Sequence, residues 1–148
     1  MKKQISIYAT ALALFSALHA QDIPQSQVPS VIVNAFHKQF PKAIDLEWEM
    51  DGNLYNVDFE MHWNEDHDVW YNAEGKMVRH KEDLSKSDLP EAVRQRIKTD
   101  FYGYTIDDLE RITDRGNVIY KMELNAFTTT DWDVVIDSEG HIISKIAD

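Results

Sequence analysis

The sequence predicts an α+β protein with two layers, in which helices cover one side of antiparallel strands. Two observations predict this fold. Residue types recur at an offset of about 65 positions, and in each copy the spacing of the apolar residues changes from helical to alternating. The chain has 148 residues, 43% of them hydrophobic, so it can form a packed core without the cysteines that it lacks.

The repeat is clearest towards the end of each copy. We predict two tandem copies of one unit, each a helix followed by a four-stranded antiparallel meander. The first unit covers residues 28–81, a polar linker covers 82–88, and the second unit covers 89–148. The repeated pairs are Asp66 and Asp131, Asp68 and Asp133, Val69 and Val134, Glu74 and Glu139, and Gly75 and Gly140.

Each unit is predicted to begin with a helix that starts at a proline, Pro29 or Pro90. Proline is tolerated in the first turn of a helix, where its missing N–H has no partner to lose. Pro41 ends the first apolar stripe, and Gly103 follows the second. The stripes are Ile32, Ala35, Phe36 and Phe40 in the first helix and Val93, Ile97 and Phe101 in the second.

Alternating residues after each helix predict strands with one buried and one wet face. Residues 69–72 and 76–81 form the last two strands of the first unit, joined by a turn at 73–75. In the second unit residues 106–113 alternate poorly, so Asp107 and Asp108 open either a short helix or a bulge. Whether the two units share one sheet stays open. The buried sets of the first two strands are Ile44, Leu46, Trp48 and Met50, then Tyr55, Val57, Phe59 and Met61.

Residues 1–20 have the order of a secretory signal peptide. Lys2 and Lys3 precede an apolar run that is too short to span a membrane, and Ala20 marks the cleavage site. We expect an exported chain, periplasmic or secreted, that begins with a lead of residues 21–27 and is not inserted in a membrane. The formal charge of -11 argues against a nucleic-acid partner, because phosphate would be repelled.

The order of these motifs resembles a known family. A Val-Pro or Leu-Pro pair opens each helix, at 28–29 and 89–90, and an Asn-Ala-Glu-Gly or Asp-Ser-Glu-Gly turn follows at 72–75 and 137–140. Over residues 28–146 the chain is similar to the PepSY-like, beta-lactamase-inhibitor-like family of small exported bacterial proteins. The resemblance implies a two-layer fold and protein binding, including inhibition of a peptidase or another enzyme, but it assigns no contact residue.

A metal site is suggested by His62, Asp66, His67 and Asp68, which lie close together in the sequence. The second copy argues against this site, because Phe127 and Trp132 replace the two histidines while both Asp positions recur. A recurring Asp is typical of turns, where the carboxylate binds its own backbone. We expect no metal and no cofactor. A small-ligand or cation-binding protein that uses residues 62–68 is the alternative function.

Exposed aromatic residues are better candidates for a binding site. Alternation places Trp48, Tyr55 and Phe59 in the core but turns Trp70 outward, while other aromatic residues lie in loops. Aromatic side chains on an acidic face suit a protein partner. The alternative is that the two units pack together through these residues, and the chain is a monomer or a homodimer. The predicted partner-binding residues are Asp58, Glu60, Trp63, Trp70 and Phe127.

No catalytic constellation is found in the sequence. It contains neither a Gly-x-Ser-x-Gly elbow nor a cysteine thiol. Its 26 acidic residues provide many carboxylate pairs by chance, so a carboxylate-based hydrolase is a third hypothesis that rests on composition alone. The sequence favours an exported, non-enzymatic protein-binding module with an unidentified protein partner.

Overall fold

A computed structural model describes residues 21–62 and 65–148 of the chain. The predicted signal peptide, residues 1–20, and Trp63 lie outside the described residues. Short 3-10 turns occur at Gln25–Gln27 and Lys86–Asp88. The helices and strands in chain order are β1 (Gln21–Asp22), α1 (Ser30–Gln39), β2 (Ile44–Asp51), β3 (Leu54–Glu60), β4 (Asp66–Tyr71), β5 (Met77–Asp83), α2 (Glu91–Asp100), β6 (Thr105–Asp114), β7 (Asn117–Asn125), β8 (Trp132–Asp137) and β9 (Ile142–Ala147).

The strands form one antiparallel sheet in which they lie in chain order, from β1 at one edge to β9 at the other. This confirms a mostly antiparallel sheet with two helices. β5 pairs with β6, from Arg79 opposite Asp114 to Asp83 opposite Glu110, and so joins the two halves of the chain. The alternative in which the halves pack together through exposed aromatic residues is therefore wrong. The short strand β1 pairs with β2 and is not predicted by the sequence.

Both helices cover the same face of the sheet, which we call the helix face. Residues directly opposite each other in paired antiparallel strands point to the same face. The register runs from Phe59 to His67 and Glu82, then across the junction to Arg111 and Tyr120. Phe59 belongs to the core under α1 and Tyr120 to the core under α2. The two cores consequently lie on one side of a continuous sheet.

Two hydrophobic cores lie under the helices, and within the described residues they share no buried side chain. The apolar stripes predicted for both helices are confirmed, as is the burial of Trp48 and Phe59, while Tyr55 is half-buried at the rim. The core under α1 contains Val28, Ile32, Phe36, Trp48, Val57, Phe59, Val69 and Tyr71. The core under α2 contains Leu89, Val93, Ile97, Phe101, Leu109, Tyr120, Met122, Leu124, Val134 and Ile136.

β2 and β6 each contain a β-bulge. The register shifts after Ile44 in β2 and after Asp107 in β6, and the φ angles of Asp45 and Asp108 are 53° and 43°. The second unit therefore has a bulge at this point and not a short helix. An extra residue reverses the alternation of side chains. Ile44, predicted to be buried, consequently pairs with Glu60 and is 52% exposed.

The predicted linker, residues 82–88, is more ordered than its composition indicates. β5 continues through Asp83, and the N–H of Leu84 donates a hydrogen bond to the carbonyl of Leu109. The first two residues of this segment thus belong to the sheet. In the described part of the chain, no helix has the length and apolar character needed to cross a membrane.

The β4–β5 and β8–β9 turns are closed by the same side-chain hydrogen bonds. Oδ1 of Asn72 accepts hydrogen bonds from the backbone N–H groups of Glu74 and Lys76, at 3.2 and 2.9 Å. Oδ1 of Asp137 accepts the corresponding two bonds in the second turn, at 3.0 and 2.8 Å. An Asn or Asp side chain that bonds the backbone two residues on favours a tight turn. The predicted turn at 73–75 is confirmed.

Candidate functional site

The face of the sheet opposite the helices is the open face, because neither α1 nor α2 covers it. Successive side chains of a strand point to opposite faces, so strand register decides which residues lie there. Acidic residues outnumber basic ones among them. The open face includes Glu47, Glu49, Asp58, Glu60, Asp66, Asp68, Trp70, Arg79, Lys81, Asp83, Glu110, Ile112, Asp114, Ile119, Lys121 and Val135.

The acidic residues of the open face are concentrated on β2, β3 and β4. Glu47, Asp58 and Asp68 form a row across these strands, because Glu47 pairs with Asp58 and Asp58 with Asp68. Partial burial and then the neighbouring carboxylates, Asp68 first, raise the pKa of Asp58. Partial burial and then Asp22 raise the pKa of Glu49. Like charges directly opposite each other destabilise a sheet, so this acidic row opposes folding.

Lysine side chains connect the acidic row to the second half of the molecule. Nζ of Lys81 lies 2.6 Å from Oδ2 of Asp68 and 3.7 Å from Oε1 of Glu110. Nζ of Lys121 lies 3.8 Å from Oε2 of the same glutamate. Burial of Lys81 favours the neutral amine and is the largest single effect, but the hydrogen bond to Asp68 and the charges of Asp68, Glu110 and Asp83 together outweigh it and raise the pKa of Lys81. These lysines offset part of the negative field at the junction, and the field persists on β2 and β3.

The centre of the open face is an apolar depression around Trp70. Its volume is about 360 Å³. Its lining comes from β4, β5, β6 and β7, so the depression lies across the junction between the halves. The lining residues are Trp70, Arg79, Lys81, Ile112, Asp114, Asn117 and Ile119.

Polar neighbours hold the Trp70 ring in place. Its Nε1 donates a hydrogen bond of 2.9 Å to Oδ2 of Asp51. The guanidinium of Arg79 lies 5.2 Å from the ring centroid, and Nη2 of Arg79 is 3.0 Å from Oδ2 of Asp114. A cation at this distance is attracted to the face of an indole ring. The half-buried ring is thus held in one orientation on an otherwise acidic surface.

The predicted partner-binding residues do not all lie together. The structure places Asp58, Glu60 and Trp70 on the open face, as the alternation predicts. Phe127 is fully exposed, but it lies in the loop between β7 and β8 and not on a strand. Trp63 lies outside the described residues.

On the helix face, His67, His80 and Glu82 come together at the edge of the core under α1. Nδ1 of His67 lies 3.0 Å from Nε2 of His80. The carboxylate of Glu82 lies 4.0 Å from Nδ1 of His67 and 3.9 Å from Nδ1 of His80. One nitrogen or oxygen from each of the three residues lies within 4.8 Å of the other two. Burial lowers the pKa of His80, so the unprotonated imidazole that binds metals is favoured there.

Aromatic rings hold the two imidazoles in position. The ring of His67 stacks on Phe59 with centroids 5.2 Å apart, and Phe40 meets His80 edge to face at 5.6 Å. His67 is buried, and among the described residues its Nε2 has no hydrogen-bond partner. The two imidazoles are themselves stacked, at 5.3 Å.

The four residues suggested as a metal site from their spacing do not converge. Strand alternation puts His67 on the helix face and both Asp66 and Asp68 on the open face. His62 is exposed, outside the strands, with a φ of 61°. This arrangement contradicts a common ligand site within residues 62–68. The physical reason is that neighbours in an extended strand point away from one another.

A larger cleft, of about 1160 Å³, lies where β4, β5 and β6 meet the segment before α2. It brings several carboxylates together, so the geometric requirement of the hydrolase hypothesis is met. The basic side chains of Lys81, Arg111 and Lys121 also line it. The acidic lining residues are Asp58, Glu65, Asp66, Asp68, Glu82, Asp83, Asp88, Asp108 and Glu110.

The sequence does not predict the residues that complete the depression around Trp70 or those that join His67 on the helix face. Ile112 and Ile119 line the depression because they pair with each other across the β6–β7 hairpin, and the poor alternation of β6 does not reveal which face they share. His80 and Glu82 alternate with Arg79 and Lys81, so the sequence indicates that the side chains of His80 and Glu82 lie on the same face of the strand. Their approach to His67 follows only from the pairing of β4 with β5 across the predicted turn.

The fold and the open face define a class of small α+β proteins whose helices cover one side of an antiparallel sheet and leave the other side free. The family described as beta-lactamase-inhibitor-like, PepSY-like matches this chain at residues 16–69 and 53–144. The chain belongs to this PepSY-like family, as the sequence motifs indicate. Proteins of the family are in general not catalytic.

Solved structures share the fold. A DUF2874 family protein from Bacteroides uniformis is 21% identical with a TM-score of 0.66, covering 80% of this chain and 88% of that one. A candidate periplasmic protein from Bacteroides eggerthii is 18% identical with a TM-score of 0.67, covering 81% and 88%. A BLIP-like protein from Bacteroides fragilis is 18% identical with a TM-score of 0.65, covering 84% and 87%. No curated protein sequence matches the chain.

Proposed function

We propose that this chain is an exported, non-enzymatic module that binds a protein partner on the open face, around Trp70. One observation carries the proposal: both helices lie on one side of the sheet, so the opposite side, with an apolar depression at its centre, is free to receive a partner. The family description, beta-lactamase-inhibitor-like, supports an enzyme as the partner whose activity the chain inhibits or modulates.

Trp70 is proposed as the central contact. Tryptophan and arginine are the residues most enriched among those that dominate binding energy, and here the guanidinium of Arg79 lies 5.2 Å from the centroid of the Trp70 ring. The hydrogen bond to Asp51 orients the ring before binding. Less conformational entropy is then lost when the partner docks, which favours affinity.

The acidic row supplies charge for association with a basic partner. Complementary charge raises the rate of encounter and selects among partners more than it raises affinity. The repulsion that raises the pKa of Asp58 lowers the stability of the folded chain. A destabilising arrangement of this kind supports a functional role, since stability and function often oppose each other. We propose Asp58 and Glu60 as the steering residues.

Phe127 and Trp63 are proposed as outer contacts. Phe127 has a relative exposure of 104% in the β7–β8 loop. A partner that covers the depression and extends toward that end of the sheet would reach it. Trp63 lies outside the described residues, and we propose it as a contact from the sequence alone.

We infer further that residues 1–20 are removed on export and that residues 28–81 and 89–148 are copies of one unit. In each half a helix is followed by four strands, with a bulge in the first strand and the same side-chain bonding in the last turn. The fold shared with a candidate periplasmic protein supports export to the periplasm or beyond it. The proposal covers either a monomer or a homodimer.

The first test is capture of a partner from the envelope fraction of the native bacterium. The tagged protein is used as bait at low and moderate salt, and captured proteins are identified by mass spectrometry. We expect a stoichiometric protein that is released as salt rises, because screening weakens the attraction between the acidic row and a basic surface. A bait that captures nothing at either salt concentration contradicts the proposal.

The second test assigns the site by substitution. We expect Trp70→Ala to lower the affinity for the purified partner at least about 30-fold, the effect of removing a central aromatic contact. Tyr102→Ala is the matched control, because Tyr102 is 87% exposed and follows α2, away from the strands of the open face. Equal affinities of the Trp70→Ala variant and the unaltered protein would show that the partner binds elsewhere.

A further inference from the structure

We propose that His67, His80 and Glu82 form a binding site for one zinc-type divalent ion, with a coordination position left open to the cleft. The three residues lie on the helix face, whereas the proposed partner surface is the open face. The two proposals therefore fail or succeed separately.

The geometry of the three side chains suits a four-coordinate ion. Nδ1 of His67 and Nε2 of His80 are 3.0 Å apart, and a tetrahedral zinc ion with ordinary zinc–nitrogen bonds holds two nitrogen ligands about 3.3 Å apart. The carboxylate of Glu82 lies 4.0 Å from Nδ1 of His67. Small side-chain rotations would bring all three groups to bonding distance of a common point.

The ligand types favour zinc over calcium or magnesium. Imidazole nitrogen suits zinc, copper and nickel, whereas calcium and magnesium prefer sets of oxygen ligands. Two histidines and one carboxylate, with a fourth position for water or another ligand, are a known zinc arrangement. His67 and Glu82 both line the cleft of about 1160 Å³, so a fourth ligand has room to enter.

Glu82 is oriented for this role by a residue of the other half. Its Oε1 accepts hydrogen bonds from Nε and Nη2 of Arg111, at 2.9 and 2.6 Å. Oε2 then lies toward the imidazole pair, 4.0 Å from Nδ1 of His67. Hydrogen bonds to a ligating carboxylate commonly fix its orientation in metal sites. The site is thus assembled across the β5–β6 junction.

The second half of the molecule shows that the fold does not require histidines at these positions. Trp132 and Lys145 occupy the places that His67 and His80 occupy in the first half, judged by their positions in the β8–β9 pair. Nζ of Lys145 lies 3.8 Å from the Trp132 ring centroid and 5.0 Å from that of Phe101. An aromatic ring and a cation stabilise that edge of the core without an ion.

The hydrogen bond between Nδ1 of His67 and Nε2 of His80 accounts for only one of the two ring nitrogens of His67. Nε2 of His67 is buried and has no partner among the described residues. A buried polar atom left unbonded costs about 1–3 kcal/mol. A Trp or Phe at this position would avoid that cost, as Trp132 does by donating from Nε1 to the hydroxyl of Tyr104 at 3.3 Å. Ligation through Nδ1 of His67 would leave its Nε2 unbonded, so the case for an ion comes from the three ligand atoms, which lie within 4.8 Å of one another.

The test is titration of the purified, EDTA-treated protein with zinc chloride by calorimetry at pH 7.5, with calcium chloride in a parallel titration. We expect one zinc ion per chain, with a dissociation constant of about 10 μM or lower, and no heat from calcium. We expect His67→Gln and His80→Gln each to weaken zinc binding at least about 30-fold, and Glu82→Gln about 10-fold.

Two exposed histidines provide matched controls. His37 lies on α1, and His141 lies beside Asp137 and Glu139 in an exposed group that also offers ligand atoms. We expect His37→Gln and His141→Gln to bind zinc as the unaltered protein does. Loss of binding in the His141 variant, with binding retained in the His67 and His80 variants, would overturn the proposal.

A measurement on the unaltered protein covers the case in which the variants do not fold. Long-range proton–nitrogen NMR spectra report which imidazole nitrogens bind a metal. We expect one equivalent of zinc to shift a ring nitrogen of His67 and one of His80 and to leave His37, His62 and His141 unchanged. Zinc-induced shifts confined to other histidines would refute the site. So would the absence of zinc binding at 100 μM, a concentration on the scale of the dissociation constants of weak surface sites.

Discussion

Asp58 shows how a single side chain of the open face affects the stability of the whole chain. Asp58 is exposed and lies opposite Glu47 and Asp68 in paired strands. Among the described residues, it forms no ion pair as short as the one between Lys81 and Asp68. Partial burial, and then the carboxylates of Asp68 and Asp66, raise its pKa. A carboxyl group whose pKa is raised on folding destabilises the folded state whenever it is ionised.

Asp58→Asn is expected to stabilise the protein at pH 7 by about 0.5 kcal/mol, the scale of exposed charge interactions in water. At that pH the carboxyl group is ionised in both states, and only the folded state carries the repulsion. As pH falls through the raised pKa, the folded state takes up a proton first and the repulsion disappears. The gain should therefore shrink and vanish below the ordinary value of 3.8.

Urea unfolding of both proteins at a series of pH values measures this difference. The same series in 1 M salt is the control, because screening should remove the part of the gain that comes from neighbouring charges. An Asn variant that is less stable than the unaltered protein at pH 7 would contradict the assignment of the acidic row as destabilising.

At the scale of secondary structure elements, the β4–β5 and β8–β9 turns each lie close to the helix of their own half. This close contact requires glycine in each turn. A Cβ at Gly140 would lie 2.7 Å from the carbonyl oxygen of Ala92 in the first turn of α2. The corresponding distance from Gly75 to the carbonyl of Val31 is 3.1 Å. The β8–β9 turn therefore packs directly on helix backbone.

Gly140→Ala is expected to destabilise the protein by about 3 kcal/mol. Part of this comes from a φ of 87°, which an alanine adopts at a cost of about 1 kcal/mol. The rest comes from displacing the turn from α2, because overpacking against backbone costs about 1–3 kcal/mol. Thermal or urea unfolding gives the free energy.

Gly103→Ala is the matched control for this contact. Gly103 has the same φ of 87°, but a Cβ there meets no atom within 4 Å. We expect Gly103→Ala to lower the free energy of unfolding only by the cost of the backbone conformation. The difference between the two variants therefore measures the contact between the turn and the helix. Equal losses in the two variants would show that the turn moves away from α2 without penalty.

At the scale of the whole molecule, one sheet connects two cores that share no buried side chain among the described residues. The connection consists of the β5–β6 ladder and the ion pairs across it, Arg79 with Asp114, Arg111 with Glu82 and Lys81 with Glu110. Partly exposed ion pairs contribute little to stability. Main-chain pairing of two strands thus couples the halves, whereas each helix stabilises its own half.

Val69→Ala and Val134→Ala should therefore affect mainly their own halves. Both side chains are fully buried, one in each core, and each substitution is expected to cost about 2 kcal/mol. In native-state hydrogen exchange we expect Val69→Ala to speed exchange at least about 10-fold in β3 and β4 and far less in β7 and β8. Val134→Ala should do the reverse. Equal acceleration across both halves in either variant would indicate one cooperative unit.

Much of the fold is readable from local patterns. The helices after Pro29 and Pro90, the alternation in β3 and β4, and the turn that ends in Gly75 each follow from residues that are neighbours in the chain. Strand alternation also placed Trp70 and Asp58 correctly on the open face. The burial of Ile44 was wrong, because a bulge of one residue reverses the alternation and no local rule reveals it.

The sequence by itself determined both helices and most of the strands, the two apolar stripes that form the cores, the acidic character of the open face and the family. These depend on spacing and composition along the chain. Only the tertiary structure decided that the halves share one sheet, that Ile112 joins Trp70 in a depression, and that His67 meets His80 and Glu82. Such contacts depend on the register between strands, a relation between distant segments that hydrogen bonding and core packing set together.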